Sequence, residues 1–162
     1  NSLADFVGIT GLPVIDRGRV LASGLANVTV AVDLRSGRRL WERPLGGGTG
    51  PAVAGDWVFT VTRGGDAVAI GREDGRVRWA TELDPPPATG SRRGAPAQFG
   101  PPIVAGGRVL VASSRPELLI LDPANGAIIG RTPLFSGVTQ PGAVAGETLA
   151  LLGDDGTLMA LR

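Results

Sequence analysis

The chain has 162 residues, room for one domain, and 43% of them are apolar, yet no apolar run approaches the roughly 18 residues that a membrane-spanning helix needs. It contains no Cys, His, Lys or Tyr, which excludes disulfide frameworks, thiolate chemistry and imidazole-based metal or acid–base sites within these residues. With 16 arginines against 15 acids the net charge is +1, which gives no electrostatic ground for a nucleic-acid partner.

Residues 1–11 carry no strand pattern. Leu3, Phe6, Val7 and Ile9 are scattered among glycine and polar residues, so an ordered loop is expected there, and the opening Asn-Ser-Leu-Ala-Asp has no basic and then apolar leader. Residues 12–45 read as a first blade with strands over 13–16, 20–23, 28–33 and 40–44 and a turn at Arg17 and Gly18. Its key stretch is residues 31–41, Ala-Val-Asp-Leu-Arg-Ser-Gly-Arg-Arg-Leu-Trp. Gly37 supplies the positive φ of a tight turn, and Asp33 can accept hydrogen bonds from the N–H groups of that turn. Trp41 offers more flat surface than a lone hairpin can bury, so the unit calls for a neighbour of its own kind.

Such neighbours follow. A shift of 38 residues sets Ala69, Gly75 and Trp79 on Ala31, Gly37 and Trp41, which defines blade two over residues 51–84. An insertion over residues 85–100 contains Pro85-Pro86-Pro87 and Ser91-Arg92-Arg93, a stiff basic loop. Blade three spans 101–135, where a shift of 51 sets Leu121 and Gly126 on Ile70 and Gly75, with Asp122 on the position of Asp33. Blade four spans 141–162 and stops where the other repeats reach their turn, so its outer strand is absent. The runs 58–61, 109–112, 118–121 and 149–152 are nearly continuously apolar, as strands covered on both faces should be. The fold class is therefore all-β: a β-propeller of about four blades of four antiparallel strands, too short to bury its two terminal faces and so part of a larger ring.

The pattern Ala31-x-Asp33-x-x-x-Gly37-x-x-x-Trp41 resembles the tryptophan-docking repeat of PQQ-type propellers. With Leu3-Ala4-Asp5 ahead of a Pro-Val-Ile strand, Val53-Ala54-Gly55-Asp56, Asp74-Gly75-Arg76-Val77 and the ending 154–162, the whole chain resembles the C-terminal half of the BamB family. Gly71 stands where that pattern has Asp, and Gly130 where it has Trp. The resemblance implies half of an eight-bladed ring on the periplasmic face of the outer membrane, tethered by a lipidated Cys in a segment outside this chain. It implies a non-enzymatic scaffold without a cofactor, docking the POTRA domains of BamA and presenting unfolded outer-membrane proteins, its ring completed by an N-terminal half or a second copy. The alternative is a fragment of a PQQ-dependent quinoprotein dehydrogenase, and a third reading is a sensor propeller.

Three residues are candidate partner contacts. Leu3 and Asp5 match a loop that belongs to the family's partner surface, although a solvated loop carboxylate is the plainer reading of Asp5. Trp57 has Arg19, Arg108 and Thr148 as repeat equivalents, which suggests a water-facing position and a contact hot spot; the plainer reading is that it shields an adjacent blade. Gly46-Gly47-Gly48-Thr49-Gly50 is a blade connector, because a phosphate loop needs a Lys and a following helix. Asp154-Asp155-Gly156 lacks the further oxygen ligands of a calcium loop and reads as a hairpin turn.

Overall fold

The computed structural model describes residues 11–24, 26–85 and 95–162; Leu3, Asp5 and most of the 85–100 insertion lie outside them. Every regular element among the described residues is a β-strand. The first sheet holds β1 (Val14–Asp16), β2 (Arg19–Gly24), β3 (Val28–Asp33) and β4 (Arg39–Arg43). The second holds β5 (Ala52–Ala54), β6 (Trp57–Val61), β7 (Asp66–Gly71) and β8 (Val77–Glu82). The third holds β9 (Ile103–Ala105), β10 (Arg108–Ala112), β11 (Glu117–Leu121) and β12 (Ile128–Pro133). The fourth holds β13 (Ala143–Ala145), β14 (Thr148–Leu152) and β15 (Leu158–Leu161). All pairings are antiparallel between consecutive strands, so each sheet is a meander. The short first strands are the hub: β1 neighbours β5, and β5 neighbours β9.

Register repeats with the sequence. Ala31 lies opposite Trp41 and Ala69 opposite Trp79, with a bulge immediately after each alanine. In the third sheet Ile120 lies opposite Gly130 with the bulge at the same point. That bulge lets the outer strand twist while keeping position 41, 79 or 130 on one face.

Three apolar clusters glue the sheets. Leu21, Ala31 and Trp41 meet Val58, Val68 and Ile70; Phe59, Ala69 and Trp79 meet Val109, Leu119 and Leu121; Ala112 and Leu118 meet Leu149, Leu151 and Met159. Each sheet thus has a leading face toward the sheet before it and a trailing face toward the sheet after it. Every fully buried Leu, Val or Phe in these seams contributes about 1.5–3 kcal/mol relative to exposure. The first seam also holds a polar chain, in which the buried Ser23 hydroxyl lies 2.9 Å from Thr29 Oγ1 and 3.3 Å from Thr60 Oγ1.

This is the all-β propeller architecture that the repeats indicate, with one difference in detail. The run over 149–152 is not covered on both sides: Leu149 and Leu151 are buried, whereas Leu152 is 46% exposed. The trailing face of the fourth sheet has no sheet against it among the described residues, so its strands alternate in burial.

Candidate docking face

The segments joining β4 to β5, β8 to β9 and β12 to β13 all run from the rim back to the hub. They share one face with the β2–β3, β6–β7, β10–β11 and β14–β15 turns. Backbone bonds fix them there: Arg63 N–H donates to the Gly46 carbonyl at 2.9 Å, Leu83 N–H to Gly65 at 3.0 Å, and Asp154 N–H to Gly137 at 2.8 Å. Gly11 and Leu12, which follow the loop of Leu3 and Asp5, rest against the backbone of Thr49 and Gly50 in the first connector. That loop therefore enters the described structure on this connector face.

Two adjoining hollows mark the face. One, of about 450 Å³, is lined at the hub by Leu12, Thr49, Pro102, Thr139 and Gln140. The other, of about 550 Å³, also reaches Thr49 and Thr139 and adds Arg63, Glu82, Gln98 and Phe99. Its rim is braced by a two-point bridge, with Arg115 Nη1 2.7 Å from Asp84 Oδ1 and Nη2 3.0 Å from Oδ2. The hydrogen bond from Asp84 raises the Arg115 pKa further, so the bridge stays charged across the working pH range. Phe135, at the start of the third connector, is 93% exposed. Rigid walls, mixed charge and an exposed aromatic suit protein docking; no group of three or more acidic side chains among the described residues could hold a metal ion.

The opposite face is built for holding sheets together. Trp41 donates its indole N–H to the Arg72 carbonyl at 2.8 Å, and Trp79 to the Pro123 carbonyl at 2.9 Å. Two residues further on, Arg43 donates to the Gly75 carbonyl and Thr81 to the Gly126 carbonyl. Each trailing face thus latches at two points onto the last turn of the next sheet. A Cβ at Gly75 would lie 2.7 Å from the Trp41 ring, and one at Gly126 2.4 Å from that of Trp79. Those glycines serve close approach as well as a positive φ.

Beside the first latch lies an ion cluster that the sequence reading passes over. The Arg72 side chain is only 4% exposed and reaches Asp16 at 2.7 Å, Asp56 at 3.1 Å and Glu73 at 3.3 Å. The Asp16 hydrogen bond outweighs burial and raises the Arg72 pKa. Arg19 joins by pairing with Glu73. These groups belong to three different turns, so only their convergence in space marks them.

Trp57 is half-buried against the cluster between the second and third sheets, with the Arg78 guanidinium 5.5 Å above its ring. It begins β6 at the end of the sheet away from the connectors, so the fold does not bring it together with the loop of Leu3 and Asp5. Arg19 and Arg108, its equivalents, hold the same end of their sheets.

A family profile described as outer membrane protein assembly factor BamB matches residues 1–81 and again 65–162, which covers the chain. The chain belongs to the BamB family. The BamB of Alkalilimnicola ehrlichii is 28% identical over the whole of this chain and 40% of its own length; that of Marinobacter adhaerens is 23% identical over 99% and 39%. The chain thus spans about 40% of the length of these curated BamB relatives. The crystal structure of BamB from Moraxella catarrhalis superposes with a TM-score of 0.80 at 20% identity, covering 94% of this chain and 42% of that one. A quinohemoprotein alcohol dehydrogenase from Comamonas testosteroni superposes with a TM-score of 0.70 at 16% identity, covering 89% of this chain and 29% of its own; like the previous match, this establishes a shared fold alone.

Proposed function

We propose that this chain is the C-terminal half of a non-enzymatic scaffold for outer-membrane β-barrel assembly. The propeller docks the POTRA domains of BamA through its connector face and presents unfolded barrel proteins at the periplasmic face of the outer membrane. The anchor is a lipidated segment outside these residues. The family match over the full chain carries this reading. What the geometry adds in support is division of labour: one face is taken up by latches and ion pairs that bind sheet to sheet, leaving the connector face free to meet a partner. Leu3 and Asp5 are the proposed contacts, since the residues that follow them rest on that face.

The experiment is a titration of the chain with POTRA fragments. Asp5→Arg is expected to weaken binding about tenfold or more by setting like charges together. Unchanged affinity rejects the contact. The dehydrogenase alternative rests on likeness of fold, and fold does not carry activity. Dye-linked alcohol oxidation after incubation with PQQ and calcium would establish it.

A further inference from the structure

The outermost strand of the fourth sheet differs from its counterparts. In the first three sheets the third strand is paired on both edges, by β2 and β4, by β6 and β8, and by β10 and β12. The equivalent strand, β15, is paired with β14 alone. An open edge of apolar Leu-Met-Ala-Leu is a template for a further strand.

What that strand must carry follows from the cross-strand rows. Residues directly opposite share a face, so each sheet has a row across its trailing face through the latch position. In the first sheet the row is Val14, Leu21, Ala31, Trp41, and in the second Ala52, Phe59, Ala69, Trp79. In the third it is Ile103, Leu110, Ile120, Gly130. The third and fourth members trade size: alanine faces tryptophan twice, and isoleucine faces glycine, with the Ile120 side chain 3.3 Å from where a Gly130 Cβ would stand. The fourth sheet has Ala143, Ala150, Ala160 and no fourth member. Ala143 and Ala160 are exposed and Ala150 half-exposed. Three alanines in line leave a shallow trench, the smallest-lined of the four rows, ending at an unpaired edge.

We propose that the open edge of β15 is completed by an extended antiparallel strand of a further BamB-family propeller repeat, which sets a tryptophan opposite Ala160. The ring lies along the alanine trench, as those of Trp41 and Trp79 lie beside Ala31 and Ala69. Two observations select this occupant over any passing extended peptide. The trench fixes one position and one side-chain size, whereas a surface for varied sequences has no use for a single fixed slot. The curated relatives also extend well beyond the part that this chain matches, so polypeptide of the same repeat class is at hand in the family. This inference does not depend on the docking of POTRA domains.

The test uses the 162-residue chain and a fluorescently labelled peptide copying its own residues 75–83, which include β8 and Trp79. By anisotropy, this peptide is expected to bind at least about tenfold more tightly than its Trp79→Ala version. Ala160→Leu and Ala150→Leu in the protein fill the trench at solvent-facing positions, so they should leave the melting temperature unchanged and weaken the peptide by a similar factor. Equal binding of the two peptides, no binding at millimolar concentration, or indifference to both substitutions overturns the proposal. A peptide with alternating Val and Thr binding as tightly as the tryptophan peptide overturns it in favour of an unselective strand site. A dimer by light scattering that Ala160→Leu disperses and the peptide does not overturns it in favour of a second copy.

Discussion

Gly37 and Gly75 have the same φ of 68°, but a Cβ at Gly75 would strike the Trp41 ring whereas one at Gly37 would meet nothing within 4 Å. Gly37→Ala should therefore cost only the left-handed backbone strain, about 1–2 kcal/mol, and Gly75→Ala clearly more, as read by urea denaturation. The excess measures the latch. The turn itself was legible from Asp33 and Gly37, because both act within a few residues of one another. The close approach was not, since it depends on a ring from a different repeat. Asp33 offers a second test. Its carboxylate accepts hydrogen bonds from the Ser36 hydroxyl at 2.6 Å and the Ser36 N–H at 2.7 Å, which hold its pKa below the usual range. A depressed folded pKa stabilises above the unfolded value and ceases to do so as pH falls through the folded one. Asp33→Ala should thus lower the melting temperature at pH 7, and the gap from the parent protein should close as pH drops below about 4.

Strands three and four of each sheet behave as a matched pair. Gly130→Trp places a large ring where the Ile120 side chain already stands, so it should cost about 1–3 kcal/mol by overpacking. Adding Ile120→Ala should recover most of that loss, and a double-mutant cycle by chemical denaturation measures the coupling. Independent effects would remove the size rule behind the β15 proposal. Trp79→Ala, which empties a seam and leaves the Pro123 carbonyl without its indole donor, should cost about 3–5 kcal/mol. Gly130 drew notice as a missing tryptophan, but its compensation by Ile120 shows only in the register. Arg72 was harder to read. In Gly71-Arg72-Glu73-Asp74-Gly75 it looks like one more solvated turn charge, and it is buried because Asp16 and Asp56 reach it from two other turns. Arg72→Ala should lower the melting temperature, whereas Arg76→Ala, at a side chain 86% exposed, should hardly move it.

Across the whole molecule the sheets form a linear stack in which each touches only its neighbours, so stability is roughly a sum over seams. Sheets two and three are covered on both faces and sheet four on one. Hydrogen exchange should accordingly find β13, β14 and β15 opening at lower free energy than β6, β7, β10 and β11. Uniform protection throughout would mean that the seams do not act singly. The repeat, its four-strand plan and the family were legible because they recur along the chain at nearly constant spacing. The connector face was less so: Arg63, Asp84, Phe99 and Arg115 become neighbours through folding, from segments with no shared motif.

The two-point latches also give the stack a grain. Every sheet carries the bolt on its trailing side, as Trp41 with Arg43 and Trp79 with Thr81, and the keeper on its leading side, as the carbonyls of residues 72 and 75 and of 123 and 126. Bolt cannot meet bolt, nor keeper meet keeper. Any body that extends this assembly at the first sheet, where the Leu34 and Gly37 carbonyls occupy the keeper positions, has to arrive bolt first, so growth is one-way and mirror-image pairing of two such surfaces is ruled out by their chemistry.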